Sequence, residues 1–248
     1  MRVIDCYWEI DNLGKKTVEI ELESADVVSS DIIENLSSGY EYIVIKVPVN
    51  RVDINYILSK TGFTMIESQL TIFKNYKDFN FEDKFVSFIY DDVDFKEIET
   101  EKDFNKIINS ITPNMFTTDR VYLDPQFGPE ISSHRYKNWL TSSFNKRENK
   151  FYEYLYKGNR VGFTMYREEL NAWKGLLGGV YEKYQNEGLG VLTASSFFLY
   201  AKKRNIKMKR LIGAISSNNL PMVSIYNYLD FKLLSNNYVF VKHKKLSL

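Results

Sequence analysis

The succession of residue patterns along the chain predicts an α/β fold, and three observations carry that reading. Strand-like and helix-like periodicities alternate from one end of the sequence to the other. The 248 residues are 44% hydrophobic and 15% aromatic, enough apolar material for one large domain or two small ones. A short apolar stretch at 176–180 runs through a glycine-containing loop into a helical pattern, the strand–loop–helix order typical of such folds.

In order, residues 17–22 read as a strand with alternating acids, 27–36 as a helix and 42–47 as a buried strand. Periodicity weakens over 76–103, where Asp91, Asp92, Asp94, Glu97, Glu99, Glu101 and Asp103 cluster, so the boundary between two halves, 1–100 and 101–248, is expected there. Residues 134–144 are helical, with Tyr136, Trp139, Leu140 and Phe144 on one face. Segments 150–156 and 160–167 read as paired strands turning at Gly158-Asn159. A short strand at 176–180, an amphipathic helix at 189–204, a buried strand at 210–215, a helix at 220–229 and a strand at 238–242 complete the series.

A diverged repeat accompanies this order. Sliding the chain by 168 places Ile43 to Val47 on Leu211 to Ile215, Asn50 on Asn218, Gly62-Phe63 on Asp230-Phe231, and Leu70 to Phe73 on Tyr238 to Val241. Both copies read strand, Asn-containing loop, helix, Gly/Asp-Phe, strand, which favours duplication.

Composition excludes several classes. Cys6 is the lone cysteine, so neither an intrachain disulfide nor a Cys-rich zinc site is expected, and no metal is. The first twenty residues mix Asp5, Glu9, Asp11, Lys15 and Lys16 among apolar residues, unlike a signal peptide. No apolar run approaches the roughly 18–20 residues of a membrane span, so a cytoplasmic protein without a membrane partner is expected. Net charge is +1, yet residues 1–110 hold 12 basic against 22 acidic side chains and residues 111–248 hold 21 against 10. A net −10 half and a net +11 half either pack together or leave the basic one for an anionic partner. Nucleic acid is disfavoured, because the basic residues of 202–210 lack interleaved aromatics.

The informative segment is Leu176-Leu-Gly-Gly-Val-Tyr-Glu-Lys-Tyr-Gln-Asn-Glu-Gly-Leu-Gly190. A strand ending in such a loop and turning into a helix start offers unpaired backbone N–H groups and a positive dipole end to an anion. A Cβ at Gly188 or Gly190 would hold a phosphate off the backbone or forbid the turn. The spacing is neither the dinucleotide fingerprint nor the Walker loop.

With Val180 and Tyr184 before Gln185, Gly188 and Gly190, the segment resembles the acyl-CoA signature of the GCN5-related N-acetyltransferases, Arg/Gln-x-x-Gly-x-Gly/Ala. A second family pattern comes after it, from Asn218 and Asn219 to Tyr226, Asp230 and Phe231, with Asp230 in place of the usual glycine. The resemblance covers about 149–244 and implies a mixed central sheet flanked by helices, with a degenerate, non-catalytic N-terminal half. Leu58 stands there where the second half has Tyr226, and no glycine loop precedes it.

The resemblance also implies a specific chemistry. Acetyl-CoA would be the acyl donor, its pantetheine meeting the backbone of Gly178, Gly179 and Val180 on a strand that splays from its neighbour. Gln185, Asn186, Glu187, Gly188, Leu189, Gly190 and Val191 would hold the diphosphate, and Asn219 would reach the cofactor. Tyr226 is the expected general acid, a phenol able to protonate the departing thiol while staying neutral near pH 7. Glu168 and Glu169 are candidate bases or relays, and adjacent strand residues face opposite ways, so at most one would serve.

Further likeness is to the branch formed by the TDP-fucosamine acetyltransferases. It rests on Arg135-Tyr136-Lys137-Asn138-Trp139-Leu140, on Arg167-Glu168-Glu169-Leu170-Asn171 and on 52–63. It implies a nucleotide-linked (TDP or UDP) amino sugar as acceptor, with Arg135, Tyr136 and Trp139 gripping a diphosphate or stacking on a base. Another amine (a polyamine, an antibiotic, a protein N-terminus) and a non-catalytic acyl-CoA-binding module stay open; a polycationic acceptor would require an acidic cleft, which the N-terminal half alone could supply. A homodimer through exposed strands is a further expectation by analogy.

Overall fold

The computed structural model describes residues 1–244. The last four residues of the expected second half, 245–248, lie outside them. Among the described residues the strands are β1 (Arg2–Asp5), β2 (Thr17–Glu21), β3 (Tyr42–Pro48), β4 (Thr64–Asn75), β5 (Val93–Glu97), β6 (Lys150–Tyr156), β7 (Asn159–Glu169), β8 (Ala172–Val180), β9 (Arg210–Ser216) and β10 (Lys232–His243). The α-helices are α1 (Glu9–Leu13), α2 (Ser30–Leu36), α3 (Val52–Lys60), α4 (Lys84–Tyr90), α5 (Glu101–Ser110), α6 (Arg120–Leu123), α7 (Pro129–Lys146), α8 (Val191–Lys203) and α9 (Leu220–Tyr228). The strands form one mixed sheet in the order β1-β2-β3-β10-β4-β9-β8-β7-β6-β5. Among these residues no helix is long and apolar enough to cross a membrane.

Local chemistry explains where several elements begin. Ser29 accepts the Ile32 amide, so α2 starts at Ser30 rather than at Val27. Helix α7 starts at Pro129, five residues before the periodicity predicts, because Gly128 turns the chain at φ 83° and proline suits a first helical turn. The β6–β7 hairpin turns at Lys157-Gly158, with φ of 50° and 77°, and Asn159 already pairs with Tyr156. Segment 76–103 is not a structureless boundary: it holds α4, β5 and the start of α5, and β5 closes one edge of the sheet.

The repeat is visible as pairing. Strand β10 crosses the molecule to lie between β3 and β4, while β4 pairs with β9. Each β3–β10 pair has a β4–β9 counterpart 168 residues away: Asn237 faces Pro48 as Gln69 faces Ser216, and Tyr238 faces Val47 as Leu70 faces Ile215. Asn237 also faces Gln69, its own counterpart, so a local twofold passes between them. The two strand–helix–strand units therefore exchange their last strands. Helix α8, buried along most of its length, packs with α4 and α9 in one apolar layer, and α5 and α7 cover the opposite face.

Candidate active site

Strand β8 decides where the site lies. It runs beside β9 for three residues, Trp173 to Gly175, and then leaves it, while its pairing with β7 continues to Val180. Leu176 is an extra residue in that ladder, since Met165 faces Leu177 and Tyr166 faces Gly175. Such a bulge bends its strand and re-aims the residues beyond it. The Tyr181 hydroxyl donates to Glu153 at 2.5 Å, and Arg160 Nε donates to the same carboxylate at 2.7 Å, fixing the far end of β8 to β6 and β7. A wedge opens in the sheet.

The wedge exposes backbone donors. The Tyr181 amide bonds the Val161 carbonyl, which sets the phase of the antiparallel ladder: Gly179 and Leu177 face β7, and the amides of Gly178 and Val180 point into the wedge. Of the three residues implied by the resemblance, Gly179 therefore has its amide engaged in the sheet. No larger residue fits at Gly178, where a Cβ would stand 2.8 Å from the Phe163 carbonyl, or at Gly162 opposite, 2.4 Å from that of Gly179.

A cavity of about 460 Å³ fills the opening. Thr193, Phe197, Met222 and Tyr226 line it from the α8–α9 side, and Phe116, Arg120, Arg135, Tyr136 and Trp139 line it from the opposite face. The sheet is open between them, at Leu176 to Gly178 and Ala214 to Ser216. Two family-like segments distant in sequence thus meet the aromatic helix in one cavity.

Beyond β8, a short turn leads to Gly188, whose φ of 73° is left-handed, and then to α8. Among the described residues the amides of Gly188, Leu189, Gly190 and Val191 have no acceptor, so they are available to an anion. The two glycines act differently. Gly188 supplies the turn, while a Cβ at Gly190 would press on Ile225 at 3.2 Å. Gln185 is exposed, and its side-chain amide turns back to the Val180 and Met115 carbonyls, each at 3.5 Å. Asn186 and Glu187 are exposed beside it, and Leu189 is buried.

Tyr226 is half-buried, its ring edge-to-face on Phe231 at 4.8 Å. Burial pushes its phenol up to about 12, and its hydroxyl has no protein partner among the described residues. Asn219 caps α9 by accepting the Met222 amide, so its carbonyl oxygen is engaged and only its amide nitrogen remains for a ligand. The Thr164 hydroxyl, buried in the cavity wall against Gly178, has no hydrogen-bond partner among the described residues.

Other expected residues are placed elsewhere or already paired. Glu168 and Glu169 lie at the exposed end of β7, outside the cavity, where Lys150 and Lys174 hold them at 2.7 and 2.9 Å. The turn at the far end of the β7–β8 hairpin from Val180 carries them away from the wedge. Arg135 lines the cavity, but its Nε and Nη2 donate to the buried Glu9 at 2.8 and 2.7 Å. Tyr136 is buried against Phe116 at 4.6 Å, and Trp139 is 37% exposed.

Sequence reasoning missed Glu67 and Asp119, the two carboxylates that line the cavity. Glu67 is 7% exposed on β4, and burial raises its carboxyl above the ordinary value, with the Ser216 hydroxyl and Arg120 pulling the other way. A single acid in a twelve-residue strand was the available signal. Among the described residues no group of His, Cys, Asp and Glu is placed to hold a metal ion.

The wedge has no equivalent in the N-terminal copy. There β2 stays paired with β3 along its whole length, and Leu58 is wholly buried in the core where the second copy has Tyr226.

No protein-family model matches the sequence, and no curated protein is significantly similar to it. Solved structures do match. A glucosamine N-acetyltransferase region of a fungal multi-domain β-N-acetylglucosaminidase superposes with a TM-score of 0.60 at 12% identity, over 92% of this chain and 30% of that one. A GCN5-related N-acetyltransferase from Kribbella flavida gives 0.56 at 12% identity, over 92% and 82%. A tandem protein of the same superfamily from the clavulanic acid biosynthesis pathway gives 0.54 at 11% identity, over 94% and 76%. With the splayed strand and the glycine turn beside it, these likenesses show that the chain has the GCN5-related N-acetyltransferase fold.

Proposed function

We propose that the protein is an acetyl-CoA-dependent N-acetyltransferase acting on a primary amine of a small molecule. One observation carries the reading: among the described residues the amides of Gly178 and Val180 in the wedge and those of 188–191 at the start of α8 have no acceptor. Acetyl-CoA fits this place, because its extended pantetheine can pair with a strand edge while its diphosphate meets the turn. When bound it would supply an activated thioester.

The chain's own residues then have distinct tasks. The Gly178 and Val180 amides are donors for an oxygen that gains negative charge. The Tyr226 hydroxyl holds a proton throughout the neutral range and is placed in the cavity to deliver it to sulfur. Gly188 and Gly190 keep the backbone of the turn accessible. The N-terminal half, with neither wedge nor glycine turn, has no second acyl-donor site and serves as a wall of the acceptor side.

The acceptor we favour is an amino sugar. The glucosamine acetyltransferase region shares the fold, and Tyr136 and Trp139 offer aromatic surface for a sugar or a base. A nucleotide-linked form has less support than Tyr-x-x-Trp suggests, since Glu9 neutralises the arginine assigned to its diphosphate.

Calorimetric titration with acetyl-CoA, followed by thiol release with glucosamine and with TDP- and UDP-linked amino sugars, tests the proposal. Binding and turnover support it, whereas absence of acetyl-CoA binding overturns it. Tyr226→Phe should lower kcat by about 10- to 100-fold with acetyl-CoA affinity unchanged. Equal turnover would remove Tyr226 as the acid.

A further inference from the structure

We propose that Glu67, supplied by the N-terminal half, is the group that binds the acceptor's ammonium and takes its proton. The inference rests on the acetyltransferase reading and adds to it the acceptor's charge and the missing base.

Availability singles this residue out. Amine attack requires a free lone pair, so an ammonium must first lose a proton to a base within reach. The carboxylates lining the cavity are Glu67 and Asp119, and the cavity wall contains no histidine among the described residues. Asp119 is engaged on both oxygens: one accepts the Val121 amide at 2.8 Å and the other the Ser132 hydroxyl at 2.7 Å. Glu67 has no ion pair among the described residues and stands on β4, the strand joined to β9 at the wedge. Val239, directly opposite Glu67, packs in the apolar cluster that holds Val121 of α6, so Glu67 faces the acceptor side, across the sheet from the turn before α8.

The surrounding charges favour a cation there. Arg120 and Arg135 line the same wall, yet each has a carboxylate behind it: the half-buried Glu19 at 3.6 Å from Arg120 and the buried Glu9 at 2.7 Å from Arg135. Lys46 is held by Glu21 at 3.2 Å as well as by Glu19 at 2.7 Å, so three carboxylates stand against these three cations. With those cations paired, Glu67 and Asp119 leave the wall negative. Burial raises the Glu67 carboxyl, which makes it a stronger proton acceptor than an exposed glutamate.

The step balances simply. One N–H bond of the ammonium breaks, one O–H bond forms on Glu67, and the nitrogen keeps the electron pair it uses on the thioester. The proton later leaves Glu67 to water.

Two readouts on the full chain test this. Glu67→Gln should weaken calorimetric binding of glucosamine by about tenfold and lower its acetylation by about 100-fold, while acetyl-CoA affinity stays within about threefold. Hydroxylamine, largely neutral at pH 7, should be acetylated by the variant at nearly the wild-type rate. The wild-type acid limb, set by Glu67 among Asp119, Arg120, Lys46, Arg135, Tyr136 and Ser216, should vanish in the variant. Unchanged glucosamine binding, or equal losses with glucosamine and hydroxylamine, would overturn the role. Failure of the wild type to bind acetyl-CoA would instead count against the transferase reading, and the glucosamine comparison would still judge Glu67.

Discussion

Asp230 shows how a single residue keeps a turn that its chemistry disfavours. It follows α9 at φ 56°, where its counterpart Gly62 follows α3 at φ 83°. Both ends close with the same bonds, Phe231 N–H to the Tyr226 carbonyl and Phe63 N–H to that of Leu58. The left-handed strain is offset by Lys74 and Lys232, which hold the Asp230 carboxylate at 3.3 and 2.6 Å and keep it ionised below the usual carboxylate range. Asp230→Gly loses those pairs but relaxes the backbone and should unfold near the wild-type urea midpoint, whereas Asp230→Ala loses the pairs, keeps the strain and should unfold at a clearly lower one. Urea unfolding of the two variants checks this, and equal stabilities would show that the strain is not felt. The same residue scale governs the pH profile. The Tyr226 phenol, raised by burial to about 12, stays protonated to the top of any practical assay range. Glu67, raised in the same direction, places its acid limb above that of an exposed glutamate, so activity falls as pH drops through it.

At the scale of elements the wedge is a balance between two edges of β8. Pairing with β7 is complete, and pairing with β9 ends at Gly175, where the extra Leu176 begins the bend. The bulge lets a strand change neighbour without leaving buried amides unpaired on both sides. Deleting Leu176 would restore a regular ladder and allow β8 to stay alongside β9. The deletion should keep a folded circular dichroism spectrum and lower acetyl-CoA affinity by at least about tenfold. Retained affinity would show that packing of Met115 and Phe116 against Gly179, each about 3.5 Å from where a Cβ would sit, opens the wedge without the bulge.

The whole molecule is interlocked by the exchange of last strands. Strand β10 pairs with β3 through Asn237 to His243 and with β4 over most of its length, so neither half has a complete sheet alone. Urea unfolding followed by tryptophan fluorescence, with Trp8 in the first half and Trp139 and Trp173 in the second, should coincide with loss of backbone dichroism in one transition. Two separated transitions would mean that the halves fold independently. Interlocking also brings β4 of the first half to the cavity of the second, where Glu67 meets residues far from it in sequence.

Much of this was legible in residue order. Apolar runs and periodicity mark β3, β6, β7 and α8 within a few residues, because the core takes in nearly continuous stretches of each. The 168-residue shift appears as strand pairing, and the glycine turn at 185–190 stands where a strand becomes a helix. Glycine at φ 73° and an apolar strand are local facts, and local facts are written in sequence. Other features depend on partners that only the fold supplies. The weak periodicity over 76–90 concealed α4 and the acids over 91–103 concealed β5, whose burial comes from α8 and β6 rather than from their own pattern. Glu168 and Glu169 sit next to β8 in the chain but beside lysines in space. Arg135 reads as a free cation until Glu9, 126 residues away, is found against it. Glu67 gains its meaning from burial without an ion pair. Residue order alone settles the fold class, the repeat and the glycine turn, which rest on short-range sterics and periodicity; the folded molecule settles which charges are neutralised, because burial and long-range pairing set the energy of each.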